Sequence, residues 1–153
     1  MMNSATINNA VNLTYPDGFK EMGDEELTKY FSTPKDRWGA YNADDHIILS
    51  VSWTKAPFMT DAETVLFKTE ARLCRNLLNY QKVTSFKMKI ASKKAYGIRF
   101  EYRVNDKKLV QVADLIVFKH KNQIYSVYYV TRKINAGSTR TVFEEVLKSI
   151  TVN

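Results

Sequence analysis

The segment from residue 86 to residue 132 alternates apolar and polar residues with a period of two and has only short interruptions. This alternation is typical of strands that bury one face of a sheet. The apolar–polar runs cover residues 86–90, 96–104, 109–118 and 124–132. Turn-forming residues at 105–106 and 121–122 leave no room for crossover connections, so these strands are predicted to form an antiparallel meander. Residues 115–118 are apolar without alternation, which predicts a central strand covered on both faces.

Two other segments repeat their apolar residues every three or four positions, which indicates amphipathic helices. The first begins with a capping-box pattern at residues 60–63 and is predicted to run to about Tyr80. The second is predicted to begin near Ser138, with an apolar stripe that ends at Ile150 and a possible capping box formed by Thr141 and Glu144. Each helix presents one apolar face, so both are expected to cover the sheet.

The first sixty residues contain shorter elements of both kinds. Strands are predicted at residues 11–15, 37–41 and 46–53, with a turn at 16–18 and a hairpin connection at 42–45. Asp24 is predicted to cap a short helix at residues 25–31. Residues 1–10 are expected to be loosely ordered. The order of elements predicts an α+β protein with an antiparallel sheet of about six to seven strands and helices packed on it.

The length and composition indicate one globular domain spanning residues 1–153. Cys74 is the one cysteine, so no internal disulfide can form, which fits a reducing compartment. The polar first ten residues do not resemble a signal peptide, and no apolar run reaches the ~18 residues that a membrane span needs. We expect a cytoplasmic protein without a transmembrane segment, unless an export leader has been removed.

Catalytic and metal-binding patterns are weak in this sequence. His46 and His120 are the two histidines, and neither stands in a metal-ligand spacing. Cys74 falls on or beside the apolar face of the middle helix, where a buried, inert thiol is expected. The adjacent residues Asp44 and Asp45 fit a turn better than a pair of catalytic carboxylates. Without a phosphate-binding loop or a nucleophile elbow, the sequence predicts a protein that is not an enzyme and has no cofactor or metal.

The start and end of the chain carry a resemblance to a known family. Residues 13–19 read LTYPDGF, and residues 143–150 read FEEVLKSI. With the hairpin, middle helix and meander between them, they resemble the PsbP-like family over residues 13–152. That family includes the PsbP subunits of photosystem II, a yeast Ran-binding nuclear transport factor and bacterial relatives, among them secretion-effector chaperones. The resemblance implies an α/β/α sandwich that works by protein contact. No Ran-binding residues are carried over, because Ran-binding members use an acidic surface and this chain is basic.

The charge of the chain suggests what it binds. Its 23 basic and 16 acidic residues give a net charge of +7, which favours anionic partners. If the aromatic residues of the strand at 96–104 point inward, Arg99 and Arg103 point outward, and Lys87 and Lys89 are expected beside them. We interpret these four residues as a docking surface for an acidic segment of another protein, so that the chain is a binding module, an adaptor or a chaperone.

Two other interpretations of the charge remain open. The charged strand face can be an ordinary solvated surface with scattered ion pairs, and the basic surface can serve solubility alone. Alternatively, the chain is a sequence-tolerant binder of nucleic acid or of an anionic surface. Residues 94–101 match the RNA-recognition signature at only part of its positions, which makes nucleic acid the less favoured partner. The sequence leaves the oligomeric state and the identity of the partner open.

Overall fold

The structure, a computed structural model, describes residues 2–57, 59–104 and 108–153. Its helices are α1 (Asp24–Tyr30), α2 (Ala62–Asn76) and α3 (Ala136–Ser149), the last preceded by a 3-10 turn at Lys133–Asn135. Its strands are β1 (Met2–Ile7), β2 (Val11–Pro16), β3 (Lys20–Glu21), β4 (Arg37–Asn42), β5 (Ile47–Lys55), β6 (Leu78–Ile90), β7 (Lys93–Arg103), β8 (Val110–His120), β9 (Gln123–Arg132) and β10 (Thr151–Val152).

The described strands form two antiparallel sheets. The larger has seven strands in the order β3-β4-β5-β9-β8-β7-β6, and the smaller has three in the order β1-β2-β10. The strands β6 to β9 are neighbours in chain order, which confirms the predicted meander. The protein therefore has the predicted α+β class, and the large sheet has the predicted six to seven strands, whereas the separate three-stranded sheet was not predicted.

The large sheet separates two apolar cores. On one face, Ala62 and Leu66 of α2 pack with Ile98 and Phe100 of β7. On the other face, α3 and the three-stranded sheet pack together, and the rings of Phe143 and Tyr129 stack with centroids 4.6 Å apart. We refer to these faces as the α2 side and the α3 side. The helices α2 and α3 each bury the apolar face that their sequence patterns indicated.

Strand β8 has apolar residues on both of these sides. Leu115 and Val117 belong to the α2-side core, and Ile116 and Phe118 belong to the α3-side core. The uninterrupted apolar run of this strand is thus explained by its cover on both faces, as predicted.

The small sheet joins residues that lie far apart in the sequence. Strand β2 is its middle strand, with β1 on one side and β10 on the other. The side chain of Asn12 in β2 donates a hydrogen bond of 3.2 Å to the hydroxyl of Thr151 in β10, across a sequence separation of 139 residues. The α3-side core therefore depends on contacts between both ends of the described chain.

The expectation that residues 1–10 are loosely ordered was wrong. Residues 2–7 form strand β1, which pairs with β2 in regular antiparallel register. Asn8 and Asn9 both have φ of 53°, and Ala10 N–H donates to the Ile7 carbonyl at 3.0 Å. Two consecutive positive φ angles are the geometry of a type I′ hairpin turn, which asparagine accepts more readily than most residues.

The middle helix is shorter than predicted. It ends at Asn76, and the backbone N–H of Leu77 closes it with a 2.9 Å hydrogen bond to the Leu73 carbonyl. Tyr80, the predicted end, lies in strand β6. Leu73, Leu77 and Tyr80 nevertheless pack against the same α2-side core. The three- and four-residue spacing of apolar residues therefore continues across a change from helix to strand.

The predicted helix caps are each displaced. Asp61, not Thr60, caps α2, because its Oδ1 accepts a 2.8 Å hydrogen bond from the Thr64 N–H. Gly23, not Asp24, is the N-cap of α1. The capping box proposed for residues 141 and 144 does not form, since α3 has already begun at Ala136. The predicted turn at residues 105–106 lies outside the described residues.

Candidate functional site

The four residues predicted to dock a partner do not form one surface. Lys87 lies opposite Tyr96 in the β6–β7 register, and Lys89 lies opposite Lys94, which places both on the α2 side. Arg99 and Arg103 occupy the alternate positions of β7 and lie on the α3 side. The arginines lie on the face opposite the β7 aromatic residues, but this face carries the α3-side core and Arg99 is half-buried there. The expectation that the lysines lie beside them was wrong.

Arg99 is already paired within the protein. Its Nε and Nη2 donate hydrogen bonds of 2.7 and 3.1 Å to the two carboxylate oxygens of Asp114 on the neighbouring strand β8. Asp114 is only 8% exposed. The hydrogen bonds to Asp114 raise the pKa of Arg99. The charge of Arg99 is thus already paired with a carboxylate inside the protein, and Arg103 alone does not make a docking surface.

Three exposed lysines stand together on the α2 side of the β6–β7 hairpin. They are Lys87, Lys89 and Lys94, which we call the lysine row. Lys89 and Lys94 are direct cross-strand neighbours, an arrangement that destabilises a sheet when both charges are alike. Lys87 Nζ lies 5.9 Å from the ring centroid of Tyr96. Within the described part of the chain, no carboxylate oxygen lies within 4 Å of any of the three amino groups.

Lys94 was not among the predicted site residues, although the sequence contains a signal for it. Ala91 and Ser92 form a two-residue turn in which both φ angles are positive, 49° and 66°. A hairpin with a two-residue loop fixes the register of its strands, and so sets Lys89 opposite Lys94. The alternation on each side of the turn was recognised, but the turn itself was not.

Strand β6 forms one edge of the large sheet. It pairs with β7 on one side, and no described residue pairs with its other side. Its register with β7 is irregular between Leu78 and Thr84 but continuous from Thr84 to Ile90. An edge strand presents unpaired N–H and C=O groups on its outer side, and bulges reduce the risk of unwanted pairing. The regular part of this edge is the part that carries Lys87 and Lys89.

A groove of about 500 Å³ lies between α2 and the β6–β7 hairpin. Residues of the helix and of both strands line it: Glu63, Leu66, Phe67, Glu70, Ser85, Phe86, Lys87, Tyr96, Gly97 and Ile98. Phe67 is 73% exposed, although most phenylalanines of the described chain lie in the cores. The groove thus combines apolar walls with the first lysine of the lysine row.

Gly97 allows close packing between β6 and β7. It lies opposite Phe86, and a Cβ atom at residue 97 would meet two ring carbons of Phe86 at 2.4 Å. Gly97 has no positive φ, so the backbone does not demand glycine for conformational reasons. The ring of Phe86 therefore lies directly over residue 97 and holds the edge strand against its neighbour.

The residues considered for catalysis lie apart from this surface. Cys74 is exposed, which corrects the expectation of a buried thiol. His120 is buried, with its Nε2 at 2.8 Å from the Asn153 carbonyl oxygen. Asp44 and Asp45 lie in a turn, as predicted.

The described residues contain no group of three or more His, Cys, Asp or Glu side chains arranged to hold a metal ion. None of the helices in the described ranges has both the length and the apolar character needed to cross a membrane.

Comparisons with known proteins identify the fold. No protein-family model and no curated protein sequence matches the chain. Three solved structures that match over nearly all of it are cyanobacterial PsbP (CyanoP) from Synechocystis sp. PCC 6803, LpqN from Mycobacterium tuberculosis, which is involved in cell envelope biogenesis, and the Ran-binding protein Mog1p from Saccharomyces cerevisiae.

The similarity is one of structure rather than sequence. CyanoP has 13% identity and a TM-score of 0.71, with 99% of this chain and 92% of that chain covered. LpqN has 12% identity and a TM-score of 0.68, with coverage of 100% and 91%. Mog1p has 8% identity and a TM-score of 0.64, with coverage of 99% and 95%. Identities this low carry the fold and no residue roles. The chain therefore has the PsbP-like fold, as its opening and closing segments indicated.

Proposed function

We propose that the chain is a non-enzymatic protein-binding module, an adaptor or chaperone, that takes an extended acidic segment of another protein along strand β6. The observation that carries this proposal is the coincidence of three features in one place. All three belong to the β6–β7 hairpin. They are the regular part of the β6 edge, the unpaired lysine row on the α2 side, and the apolar groove between this hairpin and α2. One extended peptide can contact all three.

The geometry of strand addition explains how such a segment would be recognised. A peptide added beside residues 84–90 forms backbone hydrogen bonds with the outer edge of β6, which supply affinity without regard to sequence. Its alternate side chains then face the α2 side. Acidic side chains there meet Lys87 and Lys89, and an apolar side chain can enter the groove beside Leu66 and Phe67. This arrangement selects acidic residues at every second position.

Electrostatics favours the same partner. The chain has a net charge of +7, and the neighbouring charges of Lys89 and Lys94 repel each other in the free protein. A carboxylate placed between them removes that repulsion and forms charge-assisted hydrogen bonds. The Mog1p neighbour is described as Ran-binding, which shows that a protein of this fold binds another protein.

The test uses a labelled peptide in which glutamate alternates with valine, and a scrambled peptide of the same composition. Fluorescence anisotropy should show binding of the alternating peptide by the wild type. The triple variant Lys87→Glu/Lys89→Glu/Lys94→Glu should lose that binding. A control variant with the same charge change at exposed residues elsewhere, Lys20→Glu/Lys68→Glu/Arg72→Glu, should keep it. Amide chemical shifts should change along residues 84–90 when the peptide binds.

Two results would contradict the proposal. Equal affinity in both triple variants would show that general charge, and not the lysine row, attracts the peptide. Equal affinity for the scrambled peptide would show that strand addition does not contribute. The nucleic-acid alternative has its own signature, since affinity for a short single-stranded oligonucleotide would exceed that for the peptide and fall steeply with salt as counterions are released.

A further inference from the structure

A half-buried arginine lies on the α2 side of the sheet, away from β6. Arg37 in β4 pairs with Ser52 of β5, in the part of the sheet between α1 and α2. Its Nε donates to the Thr33 carbonyl at 3.2 Å, and its Nη1 donates to Ser50 Oγ at 2.9 Å. The guanidinium carbon lies 4.1 Å from the ring centroid of Phe31. These contacts fix the orientation of the charged group.

The charge of Arg37 is not compensated inside the protein. No carboxylate oxygen of the described residues lies within 4 Å of it, in contrast to Arg99 with its two hydrogen bonds to Asp114. Burial lowers the pKa of Arg37, whereas the hydrogen bonds to Asp114 raise the pKa of Arg99. A desolvated charge without a counter-charge is costly. Asp114 removes this cost for Arg99, whereas no carboxylate of the described residues removes it for Arg37.

Hydroxyl groups lie on the strands beside this arginine. Ser50, which is fully buried, lies directly opposite Tyr128 on β9. The hydroxyl of Tyr128 lies 3.4 Å from that of Tyr102, and burial raises the pKa of both phenols. Both therefore stay protonated at neutral pH, and one phenol donates to the other while the second keeps a free proton.

Arg37 and the hydroxyl groups near it have more hydrogen-bond donors than they have acceptors. A guanidinium has five N–H donors, and Arg37 uses three of them, the third in a 3.4 Å contact from its Nη2 to Thr33 Oγ1. The hydroxyl of Ser50 accepts from Arg37 and finds no acceptor for its own proton in the described ranges of the chain. A cation and a pair of partly exposed phenols on one strip of sheet match the needs of an oxyanion, which accepts several hydrogen bonds and carries negative charge.

We propose that Arg37, Ser50, Tyr128 and Tyr102 form an oxyanion-binding site for the carboxylate or phosphate group of a small-molecule ligand. The guanidinium supplies the charge and a planar pair of N–H donors, the phenol pair supplies a hydroxyl donor, and the buried Ser50 hydroxyl holds the guanidinium in place. Arg37 and Ser50 lie on β4 and β5, Tyr128 lies on β9 and Tyr102 lies on β7, and none of the four belongs to the lysine row or lines the groove. The inference therefore does not depend on the proposed function and can fail or succeed separately.

The test titrates the full chain with sodium phosphate and with sodium acetate at constant ionic strength, with sodium chloride as the reference salt. The Nε–H signal of Arg37 and the ring signals of Tyr128, followed by NMR, should shift and saturate in the millimolar range. Saturation at lower phosphate than acetate identifies a phosphate ligand, and the reverse order identifies a carboxylate.

Matched variants separate a site from general charge screening. Arg37→Met should abolish saturation, while Arg72→Met, which removes an exposed cation of α2, should leave it unchanged. Tyr128→Phe keeps the ring and should weaken binding roughly tenfold, as expected for the loss of a hydrogen bond to a charged group. It also keeps the test valid if Arg37→Met does not fold. Shifts that follow chloride equally, or that Tyr128→Phe does not weaken, would overturn the proposal.

Discussion

Replacement of Gly97 by alanine tests the contact that holds the edge strand in place. A Cβ atom at residue 97 would lie 2.4 Å from two ring carbons of Phe86. Carbon atoms in contact prefer about 3.5–4.0 Å, so the ring must retreat by about 1.1–1.6 Å. Overpacking of this kind costs about 1–3 kcal/mol. We expect Gly97→Ala to lower the free energy of unfolding by about 2 kcal/mol in urea titrations.

A double-mutant cycle with Phe86→Ala isolates the cause. Once the ring is absent, alanine at residue 97 should stabilise the strand by about 0.5–1 kcal/mol, since glycine loses more backbone entropy on folding. The coupling energy between the two positions should therefore be about 2–3 kcal/mol. Gly137→Ala is the control, because nothing lies within 4 Å of a Cβ atom there, and it should stabilise α3. The reasoning fails if Gly97→Ala costs the same with and without the Phe86 ring.

Two further predictions concern pH. The backbone N–H of Thr64 lowers the pKa of Asp61, so the stability from this cap is present above the unfolded pKa of about 3.9 and is lost as pH falls through the lower folded value. The difference in urea midpoint between wild type and Asp61→Ala should be constant near pH 7 and shrink on acidification; an unchanged difference at pH 2 would contradict the cap. Burial is the main cause that raises the pKa of five of the nine tyrosines: Tyr15, Tyr80, Tyr102, Tyr128 and Tyr129. Their folded pKa lies above the unfolded value of about 10, so the stability they contribute is present below pH 10 and lost as pH rises. Absorbance at 295 nm should show that the tyrosinate signal of these five appears only together with alkaline unfolding, and complete formation of tyrosinate in the folded protein near pH 10 would be the contrary result.

The sequence predicted those parts of the fold that depend on local periodicity. The alternation in β7 placed Ile98 and Phe100 on the face that α2 covers, and the continuous apolar run of β8 predicted cover on both sides. Such patterns are reliable because burial on one face of a strand repeats every two residues whatever the partner is.

The end of α2 was not predictable from the same periodicity. Helix and strand both direct Leu73, Leu77 and Tyr80 to one core, and no glycine or proline marks the boundary between them. Strand β1 was missed for a different reason. Its polar residues gain a structure only by pairing with β2, and the Asn8–Asn9 turn that brings this about was overlooked.

The candidate sites depended on contacts between distant residues and were therefore only partly predictable. Lys87 and Lys89 were identified from their exposure in an alternating strand. The neighbours of an arginine in the sequence do not show whether a carboxylate pairs with its charge. Asp114, which pairs with Arg99, lies 15 residues away, and nothing in the sequence around Arg37 shows that it lacks such a partner.

The position of β2 between β1 and β10 has a consequence for the rate and order of folding. Contacts between Asn12 and Thr151 close a loop of 139 residues, and folding slows as the mean sequence separation of contacts rises. During synthesis, the β6–β9 meander and α2 can assemble from contacts that are local in sequence. Strand β2 cannot pair with β10 until β10 has been synthesised, and until then one edge of β2 stays unpaired. The three-stranded sheet is thus expected to complete last, and to set the overall folding time.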